Sequence, residues 1–426
     1  MTALALPLGS EVAGPPPARS RRRRTAAQVA VVLAVSVLPL LQPAGPGNTG
    51  LADVGVLVVL AVAALWLSGG THVVRLPYAV PVAISVVAGA LAGLVAGGGV
   101  LVLVQDLFLL GWAVAIANLG RSPELVRTLV RTWALSVTVW AALMDVGVLA
   151  HIALLSGQTA RDGSRASLTF GDPNLAANYF LCGLLVLRAC RTPRSPGRRF
   201  LCCLVIVTAI VLTGSNGGMV ALLLATAAGV LVRHARRGRP ALAVVLACVL
   251  VVTGGVAAAG LDLSSMAARA RQSAPLLRDS IGREAESGGS RSTLVREGLG
   301  LWGHGSSLLG VGPGGTKDAL LAEQAPYVKE AHDDYLAALV ERGLLGGVAL
   351  VLLIVLVAVR ARRIGRPDAL SPQFAEIVPR PELLGVAVGA LLLSAFFYEV
   401  LHFRHVWALF GLIAAIELWG RRGEAR

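Results

Sequence analysis

The sequence predicts an all-α polytopic membrane protein with about twelve transmembrane helices and one large extracytoplasmic loop between helices nine and ten. Of its 426 residues, 55% are hydrophobic and only 15% are charged, whereas about a quarter of the residues in a soluble domain are charged. Uncharged stretches of roughly 20 residues, the length that crosses a bilayer as a helix, recur along the chain. These features exclude soluble, fibrous and disulfide-stabilised secreted proteins.

The apolar stretches divide the chain into four parts. In order, these are a disordered basic cytoplasmic tail at 1–24, an N-terminal bundle of nine helices at 25–260, an extracytoplasmic loop at 261–334, and a C-terminal bundle of three helices at 335–426. The predicted spans are 26–42, 51–68, 78–96, 100–118, 132–152, 174–187, 200–214, 217–232, 241–260, 335–359, 383–401 and 406–420. A basic run before an apolar stretch also resembles a signal peptide, but the many later spans favour an uncleaved first helix.

Arginine clusters predict the orientation of these spans. All but two of the 38 basic residues are arginines, and 26 of the 38 fall on the cytoplasmic side if the N-terminal tail is cytoplasmic. This asymmetry follows the positive-inside rule and places both termini in the cytoplasm. The clusters are short and separated by apolar runs. We therefore expect these arginines to contact the lipid bilayer and not nucleic acid. The five cysteines lie in or beside apolar runs without a CxxC pair, which indicates no thiol metal site.

Two groups of polar residues lie on the predicted outer side within the first bundle. Arg165 precedes Asn174, which enters the sixth span, and the hairpin Thr213–Gly218 contains Asn216. Asn174 is also explained as a residue near a helix start, and the hairpin as a plain turn of glycine and asparagine. Alternatively, Arg165 pairs with an anionic ligand and the hairpin backbone forms an anion-binding nest.

Three further groups lie later in the chain. Arg291 and Arg296 precede a glycine-rich turn at 310–315, which lacks the phosphate-binding P-loop pattern. His332 and Asp333 stand at the mouth of the tenth span, where they form either a solvated helix cap or a proton-transfer site, unless Asp333 and Asp334 bind a divalent metal. Arg404 lies between the last two spans, flanked by His402 and His405, as an interfacial anchor or a ligand contact.

Together these segments resemble the O-antigen ligase and O-antigen polymerase superfamily of bacterial membrane glycosyltransferases. The matching pieces, in order, are Arg165 with Phe170-Gly171-Asp172-Pro173-Asn174, the hairpin Thr213–Gly218, the run from Arg291 through Trp302 to Gly314, and His332-Asp333-Asp334-Tyr335-Leu336 through Glu341, Gly343 and Gly346. Two positions depart from the family pattern. Asn216 stands where the family usually has an arginine, and Asp333 where it usually has an asparagine.

The resemblance implies an enzyme of cell-envelope biogenesis that needs no metal and no cofactor. A glycan on a polyprenyl diphosphate, such as undecaprenyl diphosphate, would pass to a hydroxyl of the acceptor at the outer face of the cytoplasmic membrane, with inversion. Arg165 and Arg291 would bind the diphosphate, because a guanidinium is always charged and matches phosphate oxygens with two donors. His332 would accept the hydroxyl proton. The supporting residues would be Asn174, Asn216, Asp333, Arg296 and Arg404.

Other functions remain open from the sequence. A transporter or lipid-linked glycan exporter would use mid-span charges, for which Asp106 and Asp145 are candidates. A metal-dependent polyprenyl-phosphate sugar transferase usually has an acidic pair in its first outer loop, where this chain has only Asp53. A peptidoglycan polymerase is also compatible with the composition. The acceptor of a ligase or polymerase is equally open: another glycan chain, a lipid, or a wall polymer.

Overall fold

The computed structural model describes residues 18–42, 49–68, 73–239, 241–242, 244–247, 268–269, 271–280, 284–304 and 307–422, with side chains described for all of these except 18–21 and 284–291. The structure is 73% helix, and no strand occurs among these residues. The predicted all-α fold class is therefore confirmed.

The helices fall into long, apolar ones and short connecting ones. In chain order they are α1 (Ala18–Ser36), α2 (Leu51–Ser68), α3 (Ala79–Ala96), α4 (Val100–Leu119), α5 (Pro123–Leu149), α6 (Ala153–Ser156), α7 (Pro173–Ala189), α8 (Pro196–Leu212), α9 (Asn216–Arg236), α10 (Pro275–Asp279), α11 (Glu284–His304), α12 (Thr316–Ala322), α13 (Asp334–Ile364), α14 (Pro372–Ile377), α15 (Glu382–Ser394) and α16 (Arg404–Gly420).

Six helices in the described part of the chain are long and apolar enough to cross a membrane, namely α2, α3, α4, α5, α9 and α13. They make this a multi-pass membrane protein. The count of twelve spans stays a prediction, as does the size of the outer loop. Helices α7, α8 and α16 have 17 residues each, somewhat fewer than the roughly 20 that span a hydrocarbon core. Most of the ninth predicted span, 241–260, lies outside the described residues.

Several predicted boundaries differ from the structure, and three of them change how a segment is understood. Helix α1 begins at Ala18, inside the predicted disordered tail, so its arginine run is helical. Helix α5 begins at Pro123, well before the predicted span, because a proline fits the first turn of a helix. Helix α15 ends at Ser394 and not near residue 401. The chain can leave the helix there because the Asp334 carboxylate accepts hydrogen bonds from backbone N–H groups of the following connection.

The interior of the bundle is formed around α7 and α16. Every residue of α16 from Arg404 to Glu417 is buried, and α7 is buried along almost its whole length. The peripheral helices instead expose large aliphatic side chains, as expected for a surface that faces lipid. Exposed examples are Leu57 of α2, Leu94 of α3 and Leu107 of α4.

A second, smaller apolar cluster lies over the first half of α13. Leu294 and Leu301 of α11 are buried there with Leu320 of α12 and with Leu336 and Val340 of α13. Helices α11 and α12 are thereby packed onto the end of α13 that begins at Asp334. This packing fixes the run from Arg291 to Gly314 relative to the segment that begins at His332.

Candidate functional site

Helix α13 is interrupted at Gly343, and the glycine-rich turn at 310–315 fills the interruption. Gly343 has φ 60° and ψ −160°, a conformation that is open essentially to glycine alone. The break frees backbone carbonyls of the helix, and the turn uses them. The Val311 N–H donates to the Val340 carbonyl at 2.8 Å, and the Gly312 N–H to the Glu341 carbonyl at 3.0 Å.

Glu341 fastens the same turn with its side chain. Its carboxylate accepts hydrogen bonds from the Gly314 N–H at 2.7 Å and from the Thr316 hydroxyl at 2.9 Å. The spacing of Glu341 and Gly343 thus has a structural reason, since one residue holds the turn and the other opens the helix that receives it.

His332 stands immediately before α13 in a constrained backbone position. Its φ is 50°, in the left-handed region that few non-glycine residues adopt. Its N–H donates to Glu399 Oε1 at 3.2 Å. Asp333 caps the helix by accepting from the N–H groups of Tyr335 and Leu336, at 2.7 and 3.1 Å. Burial raises the pKa of Asp333, although these two hydrogen bonds oppose the rise.

Both carboxylate oxygens of the neighbouring Asp334 accept hydrogen bonds from backbone N–H groups. Its carboxylate accepts from the Val400 N–H at 2.8 Å and from the Leu401 N–H at 3.3 Å. The adjacent acids therefore shape the chain around His332. No group of three or more side chains suited to hold a metal ion occurs within the described residues.

Arg165, Asn174 and the hairpin Thr213–Gly218 form one hydrogen-bonded cluster. Arg165 donates from Nε to the Thr213 carbonyl at 3.1 Å and from Nη2 to Asn174 Oδ1 at 3.3 Å. The Ser215 hydroxyl donates to the same Asn174 oxygen at 2.8 Å. The structure thus brings the segment from Arg165 to Asn174 together with the hairpin, and Asn216 lies beside them as the first residue of α9. The Thr213 carbonyl and the Asn174 side chain thus hold the Arg165 guanidinium in a defined orientation.

The connection between α15 and α16, residues 395–403, contacts both halves of the site. Phe397 and Tyr398 pack against Gly217 of the hairpin, with ring atoms 3.6 Å from the position that a Cβ would occupy. One residue later, Glu399 accepts the His332 N–H. The Arg165 cluster and His332 are therefore positioned by the same short segment.

Glu399 is a site residue that the sequence reasoning missed, because it fell inside the predicted span 383–401. The only signal was a carboxylate at the end of an apolar stretch. Burial, followed by the charges of Glu341 and Asp334, raises the pKa of Glu399 to about 8. His402 Nδ1 lies 3.8 Å from Glu399 Oε2, and burial lowers the pKa of His402 to about 4.

A cavity of about 150 Å³ opens beside Glu399, between α3, α4 and α13. Its wall contains Glu399, His402 and Trp407, and also an ion pair between Arg342 Nη1 and Asp106 Oδ2 at 2.7 Å. One of the two carboxylates considered for a transporter is thus paired with a cation. The other, Asp145, is half-buried near the end of α5 and does not line this cavity.

Two predicted site residues, Arg404 and Arg296, lie apart from this arrangement. Arg404 forms a buried two-pronged ion pair with Asp53, at 2.7 and 2.8 Å, and is only 3% exposed. Its role is to join α16 to α2. Arg296 is exposed on α11. Position 291 lies within α11, and its side chain lies outside the described residues.

Helix α10 covers the Arg165 cluster. Leu276 and Ser280 approach Gly214 together with Arg165. Asp279 accepts hydrogen bonds from the N–H and the hydroxyl of Ser164, at 2.9 and 2.7 Å. Burial would raise the pKa of Asp279, but these bonds and Arg278 outweigh it and lower the pKa to about 2. The segment between α9 and α13 therefore contacts the Arg165 cluster through α10.

Residues 201–351 match the family model described as O-Antigen ligase, which confirms the resemblance to that superfamily over these residues. The matched range includes the hairpin, the glycine-rich turn, His332 and the break at Gly343. Arg165 and the connection 395–403 lie outside it. No curated protein matches the chain. The match indicates an O-antigen ligase-like membrane enzyme with lipid-linked glycan and acceptor partners.

Proposed function

We propose that this protein is a membrane glycosyltransferase that transfers or polymerises a glycan carried on a polyprenyl diphosphate. The reaction takes place at the outer face of the cytoplasmic membrane, inverts the configuration at the anomeric carbon and requires no metal. The observation that carries the proposal is the connection 395–403, which holds a base candidate, His332, and an arginine cluster around Arg165 at the same end of the bundle.

The chemistry divides between these residues. His332 takes the proton of the acceptor hydroxyl, whose oxygen forms a bond to the anomeric carbon. The bond from that carbon to the diphosphate oxygen breaks, and the electron pair leaves with the diphosphate. Arg165 stabilises the charge that develops there, helped by an arginine at position 291. Because its acceptors Thr213 and Asn174 already orient the Arg165 guanidinium, little reorganisation is required in the transition state.

The metal-dependent sugar transferase is less well supported by the geometry. Its first-loop carboxylate would be Asp53, but both oxygens of Asp53 are bound to Arg404. Asp333 and Asp334 hold backbone N–H groups. We therefore assign the neutralisation of the diphosphate to arginines.

Transfer by the purified protein is expected to persist in the presence of a chelator. The reason is that arginines supply the positive charge that a metal would otherwise supply. The measurement uses the protein in nanodiscs with lipid-linked donor and acceptor. Activity lost with chelator and restored by Mg²⁺ or Mn²⁺ would overturn the arginine assignment.

Glycan profiles of a deletion strain distinguish a polymerase from a ligase. Loss of chain length in the strain indicates a polymerase, whereas loss of attachment of intact chains indicates a ligase.

Replacing Arg165 with alanine should weaken donor binding by roughly 10- to 100-fold, the scale of one lost charge-assisted hydrogen bond. Arg165→Lys should recover only part of this loss, because an ammonium cannot bind two phosphate oxygens in the same plane. The readout is binding of lipid-linked donor in nanodiscs. Arg161→Ala is the matched control, since Arg161 is an exposed arginine in the same loop. Equal donor affinity in Arg165→Ala and Arg161→Ala would contradict the assignment.

A further inference from the structure

A second cavity, of about 60 Å³, lies at the opposite end of the bundle from His332. It is formed where α7 and α9 end and α15 begins. Three arginines line it, Arg188 of α7, Arg233 of α9 and Arg380 just before α15. The positive-inside rule assigns this end to the cytoplasmic face.

The positive charge of this cavity is only partly balanced by a carboxylate. Glu382 is the one acid in its lining, and it forms an ion pair with Arg236, which is not a lining residue. Within the described part of the chain, no carboxylate lies in salt-bridge distance of the three lining guanidinium groups. Burial, and then the charges of Arg191, Arg233 and Arg188, lower the pKa of Arg380. These cations repel one another, and a bound anion would relieve the repulsion.

The rest of the wall is aliphatic and continues toward the lipid-facing surface. Leu184 and Leu185 of α7, Leu222 of α9 and Leu383 of α15 lie beside the arginines. On α9, the next residues Leu223 and Leu224 are 69% and 53% exposed, as expected for side chains that contact acyl chains. A ligand here would meet guanidinium groups at one end and an apolar surface at the other.

We propose that this cavity binds the phosphate of an anionic phospholipid headgroup from the inner leaflet, with Arg188, Arg233 and Arg380 as its ligands. The acyl chains extend along the aliphatic wall between α9 and α15. Positive charge near the membrane attracts anionic lipid, and a basic pocket between helices makes that attraction local. The site is separate from the proposed catalytic region and does not depend on the glycosyltransferase assignment.

Lipid retention measured by native mass spectrometry tests the site. The intact protein is exchanged into detergent with phosphatidylglycerol, cardiolipin, phosphatidylcholine or inorganic phosphate. The wild type is expected to retain the two anionic lipids and to be stabilised by them against heat. The triple variant R188Q/R233Q/R380Q should bind them roughly 100-fold more weakly, because each arginine near the membrane contributes attraction. The single variant R233Q should show a smaller loss in the same direction and guards against misfolding of the triple variant.

The matched control is R198Q/R237Q/R239Q, which removes the same charge from positions at the same end of the bundle that do not line the cavity. Retention that falls equally in the control would reduce the effect to general surface charge and overturn the site. Stabilisation by inorganic phosphate as large as that by lipid would assign the cavity to a soluble anion and overturn the lipid proposal. Equal retention of phosphatidylcholine by the wild type would also contradict it.

Discussion

Replacing His332 with alanine is expected to lower glycan transfer by two or more orders of magnitude while lipid-linked donor still binds. The reason is that the variant loses the group that takes the hydroxyl proton, and a general base contributes roughly 10²- to 10⁴-fold to a rate. The Arg165 cluster, which makes the proposed donor contact, does not include His332. Single-turnover transfer and donor binding in nanodiscs separate the two effects.

Two further variants sharpen this experiment. His332 has a positive φ, so alanine there adds backbone strain, whereas His332→Asn removes the base in a residue that tolerates this conformation. Both variants should lose transfer to a similar extent. His304→Ala is the control, since His304 is an exposed histidine at the end of α11. Transfer near the wild-type rate in His332→Asn would show that His332 is not the base.

Replacing Gly343 with alanine is expected to destabilise the protein by about 3 kcal/mol or more, or to prevent its accumulation. The φ and ψ of Gly343 exclude a side chain, and a Cβ there would lie 2.2 Å from the Leu308 carbonyl oxygen. The oxygen belongs to the backbone, and the backbone fixes the position of the Cβ. Neither atom can therefore move aside without separating the turn from α13. Thermal unfolding and expression level measure the effect.

The control for this substitution is Gly389→Ala in α15. Gly389 has no atom within 4 Å of the position of an added Cβ, and alanine favours a helix more than glycine does. This variant should be as stable as the wild type. If Gly343→Ala were equally stable, α13 would have to be continuous, and the turn at 310–315 could not be held as described.

The helices were largely predictable because each apolar stretch carries its own signal. The bounds of α2, α3 and α4 agree with the predicted spans to within one residue. The end of α15 was not predictable in this way. Phe396, Phe397 and Val400 read as a continuation of the apolar stretch, and what ends the helix is Asp334, which is remote in sequence and binds the N–H groups of Val400 and Leu401.

The candidate site shows the same division between local and long-range information. The segments around Arg165, the hairpin and His332 were found from residue types and their order. Their connection through Glu399 was not, because it depends on a hydrogen bond between residues 67 positions apart. The ion pair of Arg404 with Asp53 was not predictable for the same reason. Nothing local to Arg404 reveals that Asp53 lies against it.

The ion pair between Asp53 and Arg404 also bears on how the bundle is assembled. The two residues are separated by 351 positions, so the carboxylate enters the membrane long before its cation is synthesised. An unpaired buried charge costs several kcal/mol, and the early bundle must therefore keep Asp53 near water or leave α2 loosely packed. Only when the last helix arrives can α2 settle into place. A chain that ends before Arg404 thus lacks the cation that neutralises Asp53 in the finished bundle.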